Sequence, residues 1–476
     1  MFNMNFTSDI VIGLEIHLQL NTKTKLFCSC STKPIKDESP NSRTCPTCLG
    51  HPGSKPILNK AAIDFALKLA LALNCKITPQ LIFSRKSYFY PDLAKNYQIT
   101  QYEIPLGENG YIILPNKKKV RINRVHMEED PAALVHKGSM QTSPYVLADY
   151  NRSGNPLCEI VTEPDLESPE EAREFLNSLI AIVNYLNIFD SNHCIIKADA
   201  NISIKESGYV RSEVKNISGF KEIERALFYE VERQKLAIKK NEVFVQDTRA
   251  WDTNTRSTSR LRTKETEADY GYILDPDLVV TDITQDQISK IKSDLPQLPT
   301  QKAEKFIKQG LKEEDAHILA QEKSLAHLFE KVSISIDPIL AAKWLRHELS
   351  KFLNLKNKTF SEIDIDETHI IELLNLVAEN KITDLTARDL LEKLIDKPFS
   401  PQAYVIANNL QAVSDEGELT KLCKDAIKQN PQAVEDFKAG NSKSFNFLVG
   451  KIMATTKGKA SPAEVSKIIK ELIDKN

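Results

Sequence analysis

The residues best suited to chemistry in this sequence are acidic and histidine side chains on predicted β-strands. Residues 10–20, IVIGLEIHLQL, alternate between apolar and polar types, so Glu15 and His17 share one face of an extended segment. The segments NPLCEIVTEPD and IIKADANISI place Glu159 and Asp199 on strand faces in the same way. A solvated polar face explains any one of these strands taken alone. Several strands with this pattern favour a site for Mg²⁺, which binds carboxylate oxygens and can also hold nucleotide phosphates.

A further acidic pair, Glu128 and Glu129, lies at the end of the predicted strand in VRINRVHMEEDPA. The alternation along this strand slips near Arg124, so the pattern does not decide which of the two carboxylates points inward. Carboxylates that converge without a cation would repel each other, and their pKa values would rise.

Basic residues interleaved with aromatic ones lie in FSRKSYFYPDLAKNYQ, which contains Lys86 and Tyr88, and Arg152 lies in a predicted turn in DYNRSGNP. Such residues suit a phosphate, a base or an RNA terminus. The chain has neither the G-x-x-x-x-G-K-[ST] motif nor the Rossmann glycine fingerprint, so a nucleotide would have to be held by another kind of fold.

Four of the eight cysteines lie close together, Cys28 and Cys30 in KLFCSC and Cys45 and Cys48 in TCPTCLGHPG. Two close pairs at this separation suit a tetrahedral zinc site in a knuckle over residues 28–48, and four protein ligands would make its role structural. Unligated thiols are the alternative. For the four scattered cysteines, unligated thiols in the core are the better interpretation.

Length and composition limit the class of protein. A chain of 476 residues predicts two to four domains, and 41% hydrophobic with 27% charged residues is typical of a soluble globular protein. No apolar run approaches the roughly 18 to 20 residues that span a bilayer, and the start, MFNMNFTSDIV, lacks the pattern of a secretory signal. We therefore expect a cytoplasmic protein with no membrane contact, whose cysteines are thiols or metal ligands.

The elements that must position these residues predict an α+β fold. A mixed β-sheet body with helices is expected, with strands over 10–20, 81–84, 111–113, 119–127, 156–162, 195–204, 210–216 and 273–280. One helix is expected to begin at Ser168, with Pro169 at its first position and Glu171 completing a capping box. Another is expected to begin at Ser218.

The residue pattern becomes that of helices after Pro296 and Pro299, and this change predicts a division of the chain into three domains. Residues 1–296 form the mixed body, 297–402 an all-α middle domain and 403–476 a small all-α tail domain. From residue 441 onward the tail carries seven Lys against three acidic residues. A solvated helical face is the alternative to nucleic-acid contact for this basic stretch.

These segments resemble the B subunit of the aspartyl/glutamyl-tRNA amidotransferases over nearly the whole chain. The resemblance rests on GLEIHLQL, KLFC, CPTCLGHPG, RKSYFYPDL, HMEEDPA, DYNRSGNPLCEIVTEPDLESPEEA, DANISI, EVKNISGFKEIERAL, TRAWD and LRTKETEADY, and in the tail on FLVGKIMATTKGKASP. HMEEDPAALVH and EVKNISGFKE resemble the archaeal branch of the family most.

The resemblance implies a two-step reaction on a misacylated tRNA within a heterotrimer. A cradle-shaped body binds ATP and Mg²⁺ and phosphorylates the side-chain carboxylate of Asp or Glu esterified to tRNA. Ammonia that the amidase A subunit releases from glutamine then displaces the phosphate; the complex includes a small C subunit, and the helical domains grip the tRNA. The alternative is a non-catalytic, zinc-containing adaptor subunit that binds tRNA. The archaeal-like segments favour Asp-tRNA(Asn) over Glu-tRNA(Gln) as substrate.

Roles for individual residues follow from the resemblance and the patterns together. The expected Mg²⁺ ligands are Glu15, His17, Glu128, Glu159 and Asp199, of which the first four are expected to be catalytic. ATP is expected to contact Lys86, Tyr88, Asn151, Arg152 and Lys197. Structural zinc is expected at Cys28, Cys30, Cys45 and Cys48, and tRNA at Lys443, Lys451, Lys457 and Lys459. Family cations are missing at Ala133 and Gly271, and Lys197 replaces a common Arg, which loses bidentate phosphate geometry.

Overall fold

The computed structural model describes residues 9–136, 143–217, 219–263, 270–412, 416–438, 440–456 and 458–474. The chain divides into two compact units, Met1–Pro299 and Thr300–Asn476. The three-part division with ends at residues 296 and 402 stays a prediction. Ser218 and Lys457 lie outside the described residues.

The first unit is built on a β-sheet. Its strands are β1 (Ile10–Gln19), β2 (Lys76–Ile77), β3 (Gln80–Leu81), β4 (Ser84–Ser87), β5 (Tyr97–Thr100), β6 (Gly107–Ile113), β7 (Lys119–Glu129), β8 (Ala133–His136), β9 (Val146–Asp149), β10 (Pro156–Thr162), β11 (Ile196–Ile204), β12 (Ser212–Ile217), β13 (Asp247–Asp252), β14 (Ser257–Thr263), β15 (Gly271–Leu274) and β16 (Thr281–Asp282). Nine of the described strands form one sheet, in the order β14-β13-β12-β11-β1-β10-β7-β6-β2. The β12–β13 pair is parallel, and its described neighbours pair antiparallel, so the sheet is mixed. Smaller sheets have the orders β15-β4-β5, β16-β3 and β8-β9.

The strand β1 lies inside the large sheet, paired on both edges with β10 and β11. Ile12, Leu14 and Ile16 on its apolar face are 0 to 1% exposed, which confirms the predicted alternation. Burying each such side chain contributes about 1.5–3 kcal/mol. A one-residue slip in register would turn this face to solvent, so burial holds Glu15 and His17 on the opposite face.

Helices cover the apolar face of the sheet. They are α1 (Lys60–Ala72), α2 (Pro169–Leu186), α3 (Phe220–Lys239) and α4 (Gln285–Ser293), and residues of all four lie in one core cluster with β1. Ser168 is the N-cap of α2 as predicted, since its Oγ accepts the N–H of Glu171 at 3.1 Å. The capping box is wrong in one detail, because the Glu171 carboxylate accepts the N–H of Glu167 at 2.9 Å. Gly219 is the N-cap of α3.

Most predicted strands occur with shifted ends, and β10 has the predicted bounds. The predicted strand over 81–84 is divided between β3 and β4. The strand over 273–280 is wrong beyond Leu274. There the carboxylate of Asp275 accepts the N–H groups of Asp277 and Leu278 and holds a turn.

The second unit contains helices joined by turns and loops, and no strand occurs among its described residues. Its helices are α5 (Pro299–Lys308), α6 (Glu313–Gln321), α7 (Lys323–Val332), α8 (Pro338–Ala342), α9 (Ser350–Leu355), α10 (Glu367–Ala378), α11 (Asp384–Asp396), α12 (Pro401–Ala407), α13 (Glu416–Gln429), α14 (Pro431–Lys438), α15 (Ser442–Thr455) and α16 (Pro462–Asp474), with a π-helical stretch, Lys343–Leu349, between α8 and α9. A separate core cluster joins α13, α15 and α16 through Leu419, Leu448 and Ile469. A mixed-sheet body followed by a helical region confirms the α+β class. Within the described residues, we find no helix with the length and apolarity needed to cross a bilayer.

Candidate active site and zinc knuckle

Three neighbouring strands bring polar side chains into one row on the face of the sheet opposite the core. His17 on β1 lies opposite Glu159 on β10, and Glu159 lies opposite His126 on β7. The Nε2 atom of His17 is 3.5 Å from a carboxylate oxygen of Glu159, and the Nε2 of His126 is 3.3 Å from the same oxygen. Glu128 joins the group, since its Oε1 is 3.5 Å from the Nε2 of His17.

The ligand atoms of His17, Glu128 and Glu159 all lie within 4.8 Å of one another. Two ligands on opposite sides of a Mg²⁺ ion are about 4.2 Å apart, because each bond is about 2.1 Å. One imidazole and two carboxylates at these separations fit one divalent cation. We call these three residues the acidic triad.

Glu128 and Glu129 point to opposite faces of β7. The carboxylate of Glu129 accepts hydrogen bonds from Lys95 Nζ at 2.5 Å and from the N–H of Ile99 at 2.8 Å, away from the acidic triad. The slip in alternation is a β-bulge, since Val161 pairs with Arg124 but Thr162 pairs with Ile122. The extra residue re-aims the strand, so that Arg124, His126 and Glu128 share one face.

The charges of the acidic triad depend on one another. Burial by itself lowers the pKa of His17, but the hydrogen bond to Glu159 and the charges of Glu159 and Glu128 outweigh it and raise the pKa to about 10. Burial, together with the charge of Glu159, raises the pKa of Glu128. Burial also opposes ionisation of Glu159, but His126 and His17 outweigh it and hold its pKa well below the usual range. Because a metal ligand must be deprotonated, a bound cation would take the place of the His17 proton.

The structure places Glu15 and Asp199 beside the acidic triad rather than within it. The two residues pair across β1 and β11. Glu15 Oε1 accepts a hydrogen bond from Asn201 at 3.0 Å, and Asp199 Oδ2 accepts one from Lys215 Nζ at 2.9 Å. Lys215 therefore supplies a cation at the same face of the sheet.

A cavity of about 240 Å³ opens over the acidic triad. Its lining comprises Glu15, His17, Lys86, Thr100, Gln101, Tyr102, Arg124, His126, Glu128, Glu159, Lys215, Tyr270 and Tyr272. Lys86 Nζ lies 4.7 Å from the ring centroid of Tyr270, and the ring of Tyr88 contacts the Tyr270 ring edge to face. The cavity thus combines an acidic floor with cationic and aromatic walls.

The other expected ATP contacts lie at the margin of this site. Lys197 is opposite His17 in the sheet register. Arg152 donates to the carbonyl oxygens of Pro131 and Ala132 and pairs with Asp130 at 3.2 Å. The structure does not bring Asn151 to the cavity lining, and its amide binds the backbone of the cysteine knuckle instead.

The four cysteines of the knuckle form a compact group, with all four Sγ atoms within 4.8 Å of one another. The Sγ atoms of Cys45 and Cys48 are 3.8 Å apart, which is about the edge of a tetrahedron with 2.3 Å zinc–sulfur bonds. A hydrogen bond from Cys28, aided by the charge of Lys25, lowers the pKa of Cys48 to about 4, which favours the thiolate that zinc binds. The donor set and its geometry therefore fit structural zinc.

The expected tRNA contacts lie in the helical unit. Lys443 lines a cavity of about 500 Å³ with Phe447, and Lys451 Nζ lies 5.6 Å from the centroid of the Phe447 ring. Lys459 Nζ donates to the carbonyl oxygen of Asn409. Lys443 and Lys451 thus flank an exposed aromatic ring, an arrangement compatible with base stacking.

Sequence reasoning missed His126, Arg124 and Lys215 as members of the cavity. His126 and Arg124 could have been found by counting in steps of two back from Glu128, once a bulge is allowed at the slip. Lys215 shares a strand face with Glu213 in SEVKNI, but nothing in that segment alone indicates which strand lies next to it.

Comparison with known proteins identifies the family of this chain. Residues 10–289 match the family described as GatB/GatE catalytic domain, and residues 327–473 match the family described as GatB domain. Relatives from Thermodesulfovibrio yellowstonii and Thermotoga maritima, each 42% identical, and from Methanospirillum hungatei, 44% identical, are named as the B subunit of aspartyl/glutamyl-tRNA(Asn/Gln) amidotransferase. Each alignment covers 98% of this chain and at least 98% of the relative.

These matches define the class of protein as an amidotransferase subunit with a GatB-type catalytic domain. More narrowly, the chain belongs to the family of aspartyl/glutamyl-tRNA(Asn/Gln) amidotransferase B subunits. Its assignment to the archaeal branch of that family stays a prediction.

Proposed function

We propose that this subunit uses ATP and Mg²⁺ to phosphorylate the side-chain carboxylate of Asp or Glu esterified to tRNA. The activated acyl group is then converted to the amide with ammonia from glutamine, so the complex acts as an ATP-dependent carbon–nitrogen ligase. The observation that carries the proposal is the acidic triad beneath a cavity that also contains Lys86 and Lys215.

Each part of the site has a task in this reaction. A carboxylate is a poor electrophile, and phosphorylation turns it into an acyl phosphate with a good leaving group. His17, Glu128 and Glu159 would hold Mg²⁺, which supplies charge neutralisation for the transferring phosphoryl group. Lys86, Lys215 and Arg124 would attract the phosphate oxygens, and the tyrosines exclude water from the cavity wall.

The remaining components follow from the name of the relatives, which describes one subunit of a tRNA-dependent enzyme. We propose that the ammonia comes from the amidase A subunit, that the small C subunit is the further partner, and that the reaction takes place in the cytoplasm. Lys443 and Lys451 are proposed contacts to the tRNA, with Asp-tRNA(Asn) as the favoured substrate. The match to a catalytic domain does not favour the alternative of a non-catalytic adaptor.

The test is release of the γ-phosphate of ATP by the assembled complex, measured with each misacylated tRNA in turn. We expect Glu159→Gln to lower tRNA-dependent phosphate release by at least about 100-fold, because it removes one charged ligand of the cation. tRNA binding, measured by filter retention, should be unchanged.

Glu163→Gln is the matched control. Glu163 follows β10, and its carboxylate accepts a hydrogen bond from Asn123 outside the cavity lining. Normal phosphate release by Glu159→Gln would refute the proposed role of the acidic triad. An equal loss in both variants would show a general disturbance of β10 instead.

A further inference from the structure

Lys25 is a lysine whose side chain is fully buried beside the cysteine knuckle, with 0% of its surface exposed. Its Nζ donates to the carbonyl oxygens of Arg43 at 2.9 Å and Tyr150 at 3.3 Å, and it lies 3.7 Å from the Sγ of Cys48. An ammonium group has three N–H donors, so these three acceptors use all of them.

Burial of this lysine requires a counter-charge. Lysine is almost never fully buried unless it is paired, and its two carbonyl partners are neutral. Four thiolates around one Zn²⁺ would carry a net charge of −2, so the loaded cluster would supply the counter-charge beside the Lys25 ammonium. A second-sphere hydrogen bond of this kind commonly tunes a metal site.

The same contacts tie the knuckle to the loop between β9 and β10. Arg43 belongs to the knuckle and Tyr150 to the loop, so Lys25 bridges the two backbones. Asn151 reinforces the bridge, since its Oδ1 accepts the N–H of Arg43 at 2.7 Å. Gly154 lies against Lys25 with a φ of +85°, and a Cβ built there would be 3.5 Å from the Lys25 Cδ.

The loop in turn reaches the strand that carries Glu128. Arg152 binds the carbonyl oxygens of Pro131 and Ala132, immediately after β7, and its side chain pairs with Asp130. A continuous set of contacts therefore runs from the cysteine knuckle through Lys25 and the loop to the end of β7.

We propose that Lys25 is a positioning residue of the zinc site, which neutralises part of the charge on Cys48 and fastens the knuckle to the loop that carries Arg152. The inference does not depend on phosphoryl transfer, because it concerns metal retention and loop order. Its failure and that of the proposed function are therefore distinguishable.

The first test compares zinc affinity in the full-length chain, purified in its complex, by competition with a chromogenic chelator. We expect Lys25→Met to weaken zinc binding about 10- to 100-fold, the usual effect of losing a partner of a metal ligand. Lys23→Met is the matched control, because Lys23 is exposed two residues away, and we expect its affinity to match that of the parent. Equal affinity in Lys25→Met and the parent would overturn the proposal.

The second test separates the charge on sulfur from packing. In the cobalt-substituted protein, loss of the N–H···S contact should move the sulfur-to-cobalt charge-transfer band to lower energy in Lys25→Met. Asn151→Ala removes a tie to the loop but leaves the ammonium beside Cys48, so its band should not move. A reduced zinc affinity with an unmoved band in Lys25→Met would mean that Lys25 acts by packing alone, which also overturns the proposal.

Lys25→Gln removes the charge but keeps a polar side chain with two N–H donors, on a side chain one bond shorter. If Lys25→Met does not fold, as judged by circular dichroism, this variant takes its place with the same expected band shift and the same refuting result.

Discussion

Replacing Glu128 and Glu129 one at a time by Gln provides a test that separates cation binding from stability. Glu128 belongs to the acidic triad, whereas Glu129 pairs with Lys95 on the other face of β7. We expect Glu128→Gln to abolish binding of a divalent cation without lowering the stability of the cation-free protein. We expect Glu129→Gln to retain cation binding and to lower stability.

The size of the stability loss follows from burial of the Glu129–Lys95 pair. Their side chains are 7% and 12% exposed. Removing one partner of a buried ion pair costs about 3–5 kcal/mol, because the other charge stays buried, and Gln still offers an acceptor to Ile99, so the lower value applies. With an unfolding entropy of about 2.1 cal/mol/K per residue over roughly 300 residues, a loss of about 3 kcal/mol lowers the Tm of the first unit by about 5 °C.

Glu128→Gln is expected to change the stability of the cation-free protein in the opposite direction. Burial and the charge of Glu159 raise the pKa of Glu128 above its value in the unfolded chain. The folded protein then binds that proton more tightly, so ionised Glu128 lowers stability as the pH rises through the unfolded pKa. A neutral Gln removes this loss, and the Tm at pH 8 in the presence of a chelator is expected to stay the same or rise.

Titration calorimetry with Mn²⁺ measures the binding, and scanning calorimetry in a chelator measures the Tm. Loss of Mn²⁺ binding in Glu129→Gln together with retention in Glu128→Gln would refute the assignment of faces. A Tm of Glu129→Gln within about 1 °C of the parent would refute the magnitude derived from burial.

Three further changes test other parts of the chain. Thr162→Val is expected to lower the free energy of unfolding, measured in urea, by about 1–3 kcal/mol, because Thr162 Oγ1 accepts the buried N–H of Leu14 at 2.9 Å. Thr162→Ser keeps the hydroxyl and should retain the stability of the parent. Equal unfolding midpoints for the parent and both variants would contradict this. Ser168→Ala removes the N-cap of α2 and is expected to lower the free energy of unfolding by about 1 kcal/mol in the same assay. An unchanged free energy of unfolding would show that the cap does not contribute to stability. Replacing Lys443 and Lys451 by Gln is expected to weaken tRNA binding and to lower the slope of log K against log salt concentration by about 1 to 2. An unchanged slope would show that both lysines lie on a solvated face and do not contact the tRNA.

The parts of the fold that sequence predicted well are those in which one face is buried. In β1 the buried set Ile12, Leu14 and Ile16 imposes a strict period of two, which is visible in the sequence and also directs Glu15 and His17. The start of α2 was predictable for a local reason as well, since the Ser168 side chain accepts a free N–H group at the helix N-terminus and Pro169 has no N–H group to satisfy.

What escaped prediction depends on distant pairing. The bulge opposite Thr162 changes the face parity of β7, so alternation along β7 alone did not show that His126 and Glu128 share a face with the cavity. Lys215 reaches Asp199 because β12 pairs with β11, which no property of either segment specifies. Asn151 has a side chain that could contact ATP, but its Oδ1 accepts the backbone N–H of Arg43 in the knuckle instead.

The position of β1 inside the sheet also affects biosynthesis. Its two neighbours come late, because β10 begins at Pro156 and β11 ends at Ile204. At synthesis rates of about 5 to 20 residues per second, a nascent chain holds β1 for roughly 10 to 40 s before both partners have left the ribosome. During that interval its apolar side chains and both hydrogen-bonding edges lack their native partners, so we expect the nascent chain to need protection from aggregation until β11 has been made.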